Sequence, residues 1–357
     1  MIKYIKGFDG LRAFSILFVL LTHLGIYNML PESAYVRERV WLLISGTTGV
    51  NLFFTLSGFL ITLILLIELK EKGRIGVKNF FARRFLRLLP PLIVFYGVLF
   101  LLMVLGYVPK NYGAIGLSAI YLYNFVPRWF YTAELGHTWS LAVEEQFYLF
   151  WPFVLSKFYP KKKTIAIIIV VIVLSIITVY SFLHLDIGYR SNSTFYLITH
   201  FFKTNRWLIP AVTPILIGAG SAVLLYRKKD NWKMRFEKNN KLIIFAVLII
   251  LSCLYLPKFL LPIFSIIQAF GVSLLLIWLY FNQSSGLCRV LELKPLTYVG
   301  RISYGLYVYQ GLFLKTGPGG ELWIQQFPNN ILLTIAVSVL SYHFIEKKVL
   351  KLKSRFR

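Results

Sequence analysis

Carboxylates are scarce in this 357-residue chain, with 14 Asp and Glu against 39 Lys and Arg, and only two cysteines are present. Cys253 and Cys288 lie at different depths of apolar stretches, which points to neither a disulfide framework nor a metal site. The formal net charge of +25 is divided among short segments rather than gathered on one soluble module, which excludes a nucleic-acid role. Low-complexity tracts and convincing internal repeats are also missing, as is any polar segment large enough for a soluble domain. Residues 1–357 therefore read as one membrane domain, with no room for an appended extracytoplasmic hydrolase-like domain. Lys3 and Lys6 resemble the start of a secretion signal, but the apolar run continues to Leu30 without a small-residue cleavage site, so the first span is expected to be retained.

What is abundant is apolar surface. The chain is 57% hydrophobic and 17% aromatic, with a mean hydropathy of +0.68, far beyond a soluble protein of this size. The predicted fold is all-α, a polytopic transmembrane helical bundle. Helices long enough for about 30 Å of hydrocarbon are read at 8–30, 42–68, 86–107, 139–159, 164–184, 207–226, 242–257, 260–281, 296–315 and 328–346, ten spans in all. Tyr112 to Phe125 is too short to span and reads as interfacial or re-entrant. With alternating loops, 30 of the 39 basic residues fall on the side of the N-terminus. The positive-inside rule then places both termini in the cytoplasm.

Against this background four polar groups stand out. Asp9-Gly-Leu-Arg12 leads to His23 through ten residues that are all apolar, Ser or Thr. Eleven steps of roughly 100° bring Arg12 and His23 to one helical face, about 16 Å apart along the axis. His23 is thereby expected deep in the bilayer, where an ionisable residue marks a site, and Asp9 is expected to cap the helix. Arg83, Arg84 and Arg87 share a face before Pro90-Pro91. They serve either as a phosphate clamp or as a cytoplasmic anchor. In His137-Thr-Trp139-Ser140-Leu-Ala-Val-Glu144-Glu145-Gln146-Phe-Tyr148 two adjacent carboxylates enter a span. Counted from the span ends, Glu144 and His23 reach similar depths, so Glu144 is expected to orient the imidazole. The plainer alternative is a carboxylate satisfied by Trp139 or a tyrosine hydroxyl. Finally, Asn51 precedes Ser57-Gly58, a small pair suited to close helix packing, and Gly300-Arg301-Ile-Ser303-Tyr304-Gly305 mixes small and polar residues.

Together these segments resemble the membrane acyltransferase-3 family, bacterial O-acyltransferases that modify surface polysaccharides, lipopolysaccharides, Nod factors and some antibiotics. The resemblance covers nearly the whole chain and rests on five motifs in order: Asp9 to His23, Gly49 to Leu60, Arg83 to Pro90, Trp139 to Tyr148 and Gly300 to Gly305. It implies a multi-pass protein of the bacterial cytoplasmic membrane. The implied activity is transfer of an acyl group, most specifically acetyl, from acyl-CoA to a hydroxyl of a cell-surface glycan or its lipid-linked precursor, without a metal. His23 is implied as the catalytic residue, acting as general base or carrying the acyl group, with Arg12, Arg84 and Arg87 serving the donor. Arg83 completes that cluster in this reading, and Asn51, Trp139, Ser140 and Tyr304 are candidates for the acceptor site or the oxyanion. Three positions depart from the family pattern: Asn51 for Asp, Gln310 for His and Lys348 for Pro. The competing reading is a transporter or flippase of glycan or lipid precursors that uses His23 and Glu144 as a proton relay, against which stands the lack of an inverted repeat.

Overall fold

All ten apolar stretches contain a helix in the computed structural model, which describes residues 4–29, 39, 41–188, 202–256, 260, 263–315, 317 and 320–356. The helices are α1 (Phe8–His23), α2 (Gly46–Lys72), α3 (Val77–Val104), α4 (Tyr112–Ala119), α5 (Thr138–Phe158), α6 (Thr164–Gly188), α7 (Thr213–Arg227), α8 (Lys229–Phe236), α9 (Lys241–Ser252), α10 (Phe264–Phe281), α11 (Gly286–Leu291), α12 (Lys294–Phe313), α13 (Asn329–Ser341) and α14 (Lys347–Lys351). Among the described residues there is no strand, only a lone bridge between Pro127 and Phe202. The all-α class is as expected.

Four helices are long and apolar enough to cross a membrane: α2, α3, α10 and Thr164–Ser181 of α6. A fifth crossing arises if the bent pair Lys229–Phe236 and Lys241–Tyr255 is one span. Ten crossings are not reached by this measure, and length is one reason. With 16, 15 and 13 residues, α1, α7 and α13 extend about 20–24 Å, less than the hydrocarbon thickness of about 30 Å. The other is polarity, since α5 carries Glu144 and Glu145.

Two local corrections concern α1. The helix stops at His23 because Gly25 takes a left-handed φ of 75°, a conformation suited to a helix end, and the 3₁₀ turn Ile26–Met29 follows. His23 is thus the last residue of its helix, not a side chain seven residues below the end of a longer span. Nor is Asp9 the cap. Gly7, with φ of 88°, holds that position, and the Asp9 carboxylate lies within the first turn, where it also favours the helix dipole.

Glycines set the closest crossings. A Cβ on Gly58 would strike the carbonyl oxygen of Ile215, and one on Gly218 that of Thr55, so α2 and α7 meet backbone to backbone. Gly300 meets the Asp9 carbonyl in the same way, locking α12 beside α1. Large apolar side chains cover the perimeter. Phe85, Ile93, Phe100 and Leu101 of α3, Phe150 and Phe153 of α5 and Ile169 and Val173 of α6 are all exposed, as lipid-facing surfaces are.

Candidate active site

α1 and α12 run side by side, and their final turns bring His23 onto Gln310. Nδ1 of His23 lies 3.0 Å from Oε1 of Gln310. An amide oxygen only accepts, so Nδ1 carries the proton and Nε2 is left with its lone pair. Gln310 is fully buried, and its Nε2 has no hydrogen-bond partner among the described residues. The neighbouring wall comes from the start of α5. His137 is buried with Phe95 and Tyr307 at its ring edges, and Gly311 leaves the room its imidazole occupies. Tyr307 donates to the His137 carbonyl at 2.8 Å, and its hydroxyl lies 2.5 Å from Ser140 Oγ. Trp139 stacks edge-on against Phe54 of α2. Ser140 and Trp139 therefore border the histidine level.

Glu144 does not. Its carboxylate accepts from the hydroxyls of Ser57 and Tyr148, which fulfils the plainer alternative of a tyrosine partner. The expected pairing with His23 is not formed, because the depths matched only for an α1 that continued beyond His23. Tyr148 lies four residues after Glu144, one turn along the same face, and its ring carries the Arg84 guanidinium at 3.5 Å. Arg84 Nε and Nη2 are buried with no hydrogen-bond partner among the described residues. A second polar level thus consists of Ser57, Glu144, Tyr148 and Arg84, with Glu145 and Arg87 within its electrostatic reach.

A third level closes the end where α1 begins. Arg12 donates to Asp9 at 2.7 Å, and Tyr4 bonds both Asp9 and Glu292. Arg83 points elsewhere: it donates to the Phe356 carbonyl at 2.7 Å and pairs with Glu68 at 3.4 Å. Sequence spacing put Arg83 on one face with Arg87, but the buried Glu68 of α2 claims its charge. Lys353, in the 3₁₀ turn Leu352–Phe356, shows how much positive charge gathers here. Burial, followed by Arg87, Arg84, Arg12 and Arg83, pushes its ammonium down to about 7. Such a cluster favours an anion.

Two oxyanion candidates are committed to packing. Asn51 donates to Ser265 Oγ at 3.0 Å and Gln268 Oε1 at 2.9 Å, which ties α2 to α10. Tyr304 gives its single O–H to the Leu88 carbonyl at 2.9 Å, ahead of the Pro90-Pro91 step in α3. The small pair Ser57-Gly58 divides its roles, with Gly58 in packing and Ser57 at Glu144. Sequence reading passed over Gln310 as a partner and offered a tyrosine hydroxyl for Glu144 without singling out Tyr148, although the four-residue spacing was a usable signal for it. Among the described residues no group of His, Cys, Asp and Glu is arranged to hold a metal.

Comparison with known proteins identifies the family. The sequence profile of the acyltransferase-3 family, described as an acyltransferase domain, matches residues 5–343. The O-acetyltransferase OatA of Staphylococcus aureus is 28% identical over 378 residues, covering 98% of this chain and 58% of its own length. The putative peptidoglycan O-acetyltransferase YrhL of Bacillus subtilis is 28% identical over 386 residues, covering 97% and 55%. A putative O-acetyltransferase of Staphylococcus aureus is 37% identical over 170 residues, covering 43% and 25%. The chain spans little more than half the length of the first two relatives. No solved structure matches. A profile match over nearly the whole chain, through the segments that carry His23, the arginines and Glu144, makes this protein a member of the acyltransferase-3 family.

Proposed function

We propose that this chain is an O-acyltransferase, and specifically an O-acetyltransferase, that uses acyl-CoA from the cytoplasmic side to acylate a hydroxyl of a cell-surface glycan or its lipid-linked precursor. In this reading the ten apolar stretches are ten crossings of the cytoplasmic membrane with both termini inside. The observation that carries it is the His23–Gln310 contact, which leaves the Nε2 lone pair unprotonated at the end of α1. The acceptor oxygen attacks the thioester carbonyl carbon while its proton passes to Nε2. The new C–O bond forms, the C–S bond breaks, and the imidazolium returns the proton to the departing thiolate. If Nε2 attacks first, an acyl-imidazole intervenes and the hydroxyl then displaces it. The amide Nε2 of Gln310, without a partner among the described residues, is assigned as a donor to the developing oxyanion. A transporter relay loses its motive, since His23 and Glu144 occupy separate levels.

Arg12, Arg84 and Arg87 are assigned to the phosphates and the path of the donor, with Glu144 and Tyr148 positioning Arg84. Arg84→Ala or Arg87→Ala should then raise the apparent KM for acetyl-CoA about tenfold with a smaller loss in kcat, because phosphate clamping is largely uniform binding. Arg83→Ala should leave that KM unchanged and reduce only membrane abundance, since its partners are Glu68 and the Phe356 carbonyl. Equal KM effects at all three arginines would return Arg83 to the donor site.

The separation of levels gives a second expectation. Glu144→Gln and Gln310→Leu should each slow transfer by about 10–100-fold, and their losses should multiply in the double variant, as for sites without shared partners. Initial rates in purified protein decide it. A double variant no worse than either single would mean that Glu144 and the His23 pair act as one unit.

A further inference from the structure

α8 does not continue the line of α9. Its axis turns by 90° from that of Lys241–Tyr255, and the corner between them is pinned to α10. Asn282, just past α10, accepts from the Lys238 N–H at 2.7 Å and donates to the Phe236 carbonyl at 2.9 Å, while Trp278 Nε1 donates to the Asn239 carbonyl at 3.1 Å. Trp232 stacks on Phe236 with 5.5 Å between ring centres, and Phe236 packs on Phe281. The corner lies at the end of the bundle where α1 begins, since the Lys6 N–H donates to Gln283, beside Asn282, at 2.8 Å.

Two surfaces meet there. α9 presses its buried Ala246 onto Gly271 of α10, where an added Cβ would lie 3.0 Å from the Ala246 carbonyl oxygen. The face turned away from α10 carries Lys241, Ile244, Phe245 and Leu248, all exposed, at the i, i+3, i+4, i+7 spacing of one helical stripe. A cation thus crowns an apolar strip. Around it residues 228–241 hold six Lys and Arg, every one exposed, against Asp230 and Glu237. Phe245 lies four residues beyond Lys241, about 6 Å along the axis, which matches the roughly 5–8 Å depth of one headgroup layer.

We infer that the stripe and its basic crown form a docking site for one anionic phospholipid, with the phosphate at Lys238 and Lys241 and an acyl chain along Ile244, Phe245 and Leu248. The site is independent of the proposed reaction. A lipid satisfies both surfaces at once, because its chain covers apolar side chains while its phosphate meets ammonium groups at headgroup level. A zwitterionic lipid brings the same chain but carries its own compensating cation, so net headgroup charge becomes the selecting feature. A soluble acidic ligand would use the crown alone and gain nothing from the stripe.

The test uses the full chain in a neutral detergent, with bound lipid followed by native mass spectrometry during titration with dioleoylphosphatidylglycerol or dioleoylphosphatidylcholine. The parent should bind its first phosphatidylglycerol about tenfold tighter than phosphatidylcholine. Lys238→Gln with Lys241→Gln should erase that preference and leave phosphatidylcholine binding as in the parent, whereas Lys238→Arg with Lys241→Arg should keep it. Lys161→Gln with Lys163→Gln removes the same charge from another exposed segment and should also keep it. Phe245→Ser with Leu248→Ser, both at exposed positions, should weaken the two lipids alike. Equal affinities for the two lipids in the parent, an undiminished preference after the Lys238 and Lys241 changes to Gln, or the same loss from Lys161 and Lys163 would overturn the site. So would unaltered binding after the serine changes. Displacement of phosphatidylglycerol by millimolar glycerol 3-phosphate would overturn it as well, since the occupant would then be a soluble phosphate.

Discussion

His23→Ala is expected to reduce acyl transfer by about 10²–10⁴-fold, the range that a positioned general base supplies, with the protein still inserted at normal abundance. The argument lies in what the substitution leaves behind. His23 is partly exposed at the end of α1, so truncation opens no large cavity in the core. It removes one partner from Gln310 Oε1, which remains beside the mouth of the site. No buried charge is stranded, so the folding cost stays small. The check is the ester content of host surface glycans measured beside membrane abundance. Near-normal esterification with His23 absent would remove the imidazole from the mechanism altogether.

The largest structural effect is expected at the α2–α7 crossing. Gly58→Val and Gly218→Val each drive a branched side chain into a backbone carbonyl, which no rotamer change relieves, and each should cost about 3 kcal/mol. Both helices must separate, and Ser57, one residue from the contact, then leaves Glu144. Gly97→Ala in α3, where nothing lies within 4 Å of the added Cβ, should be neutral or stabilising by up to about 1 kcal/mol. Thermal unfolding of purified protein, followed by size-exclusion chromatography, separates the two cases. Valine variants as stable as the parent would mean that α2 and α7 pack less closely than described.

The contrast between Gly58 and Glu144 shows what a sequence of this type reveals. Small residues in an apolar run declare close packing whatever the partner, and Gly58 behaved accordingly. The five motifs also disclosed the family, because each is a local pattern. Partners across helices are another matter. Nothing within α2 announces that Asn51 faces Ser265 and Gln268 of α10, since that depends on helix order around the bundle. Glu144 was assigned to His23 through depths counted on a continuous first span, and a single left-handed residue, Gly25, removed that premise. The glycine two residues beyond His23 is an ordinary stop signal; it was outweighed by the apolar residues after it. Gln310 was visible only as a departure from the family pattern, although it supplies the contact that sets the tautomer. Helix count came through at all ten stretches, whereas crossing count did not follow from apolarity, because several of the helices are short or carry charge.

The turn Leu352–Phe356 lies on α3 with its final carbonyl held by Arg83 and Lys353 amid the arginines. This has a practical side for anyone handling the protein. A peptide appended behind that turn starts within a few residues of the basic cluster, at an effective concentration on the order of millimolar. On the proposed reading, an acidic epitope tag joined there is expected to compete with the donor's phosphates and to depress activity with His23 untouched. A neutral spacer, or a tag of basic or uncharged residues, leaves the cluster open.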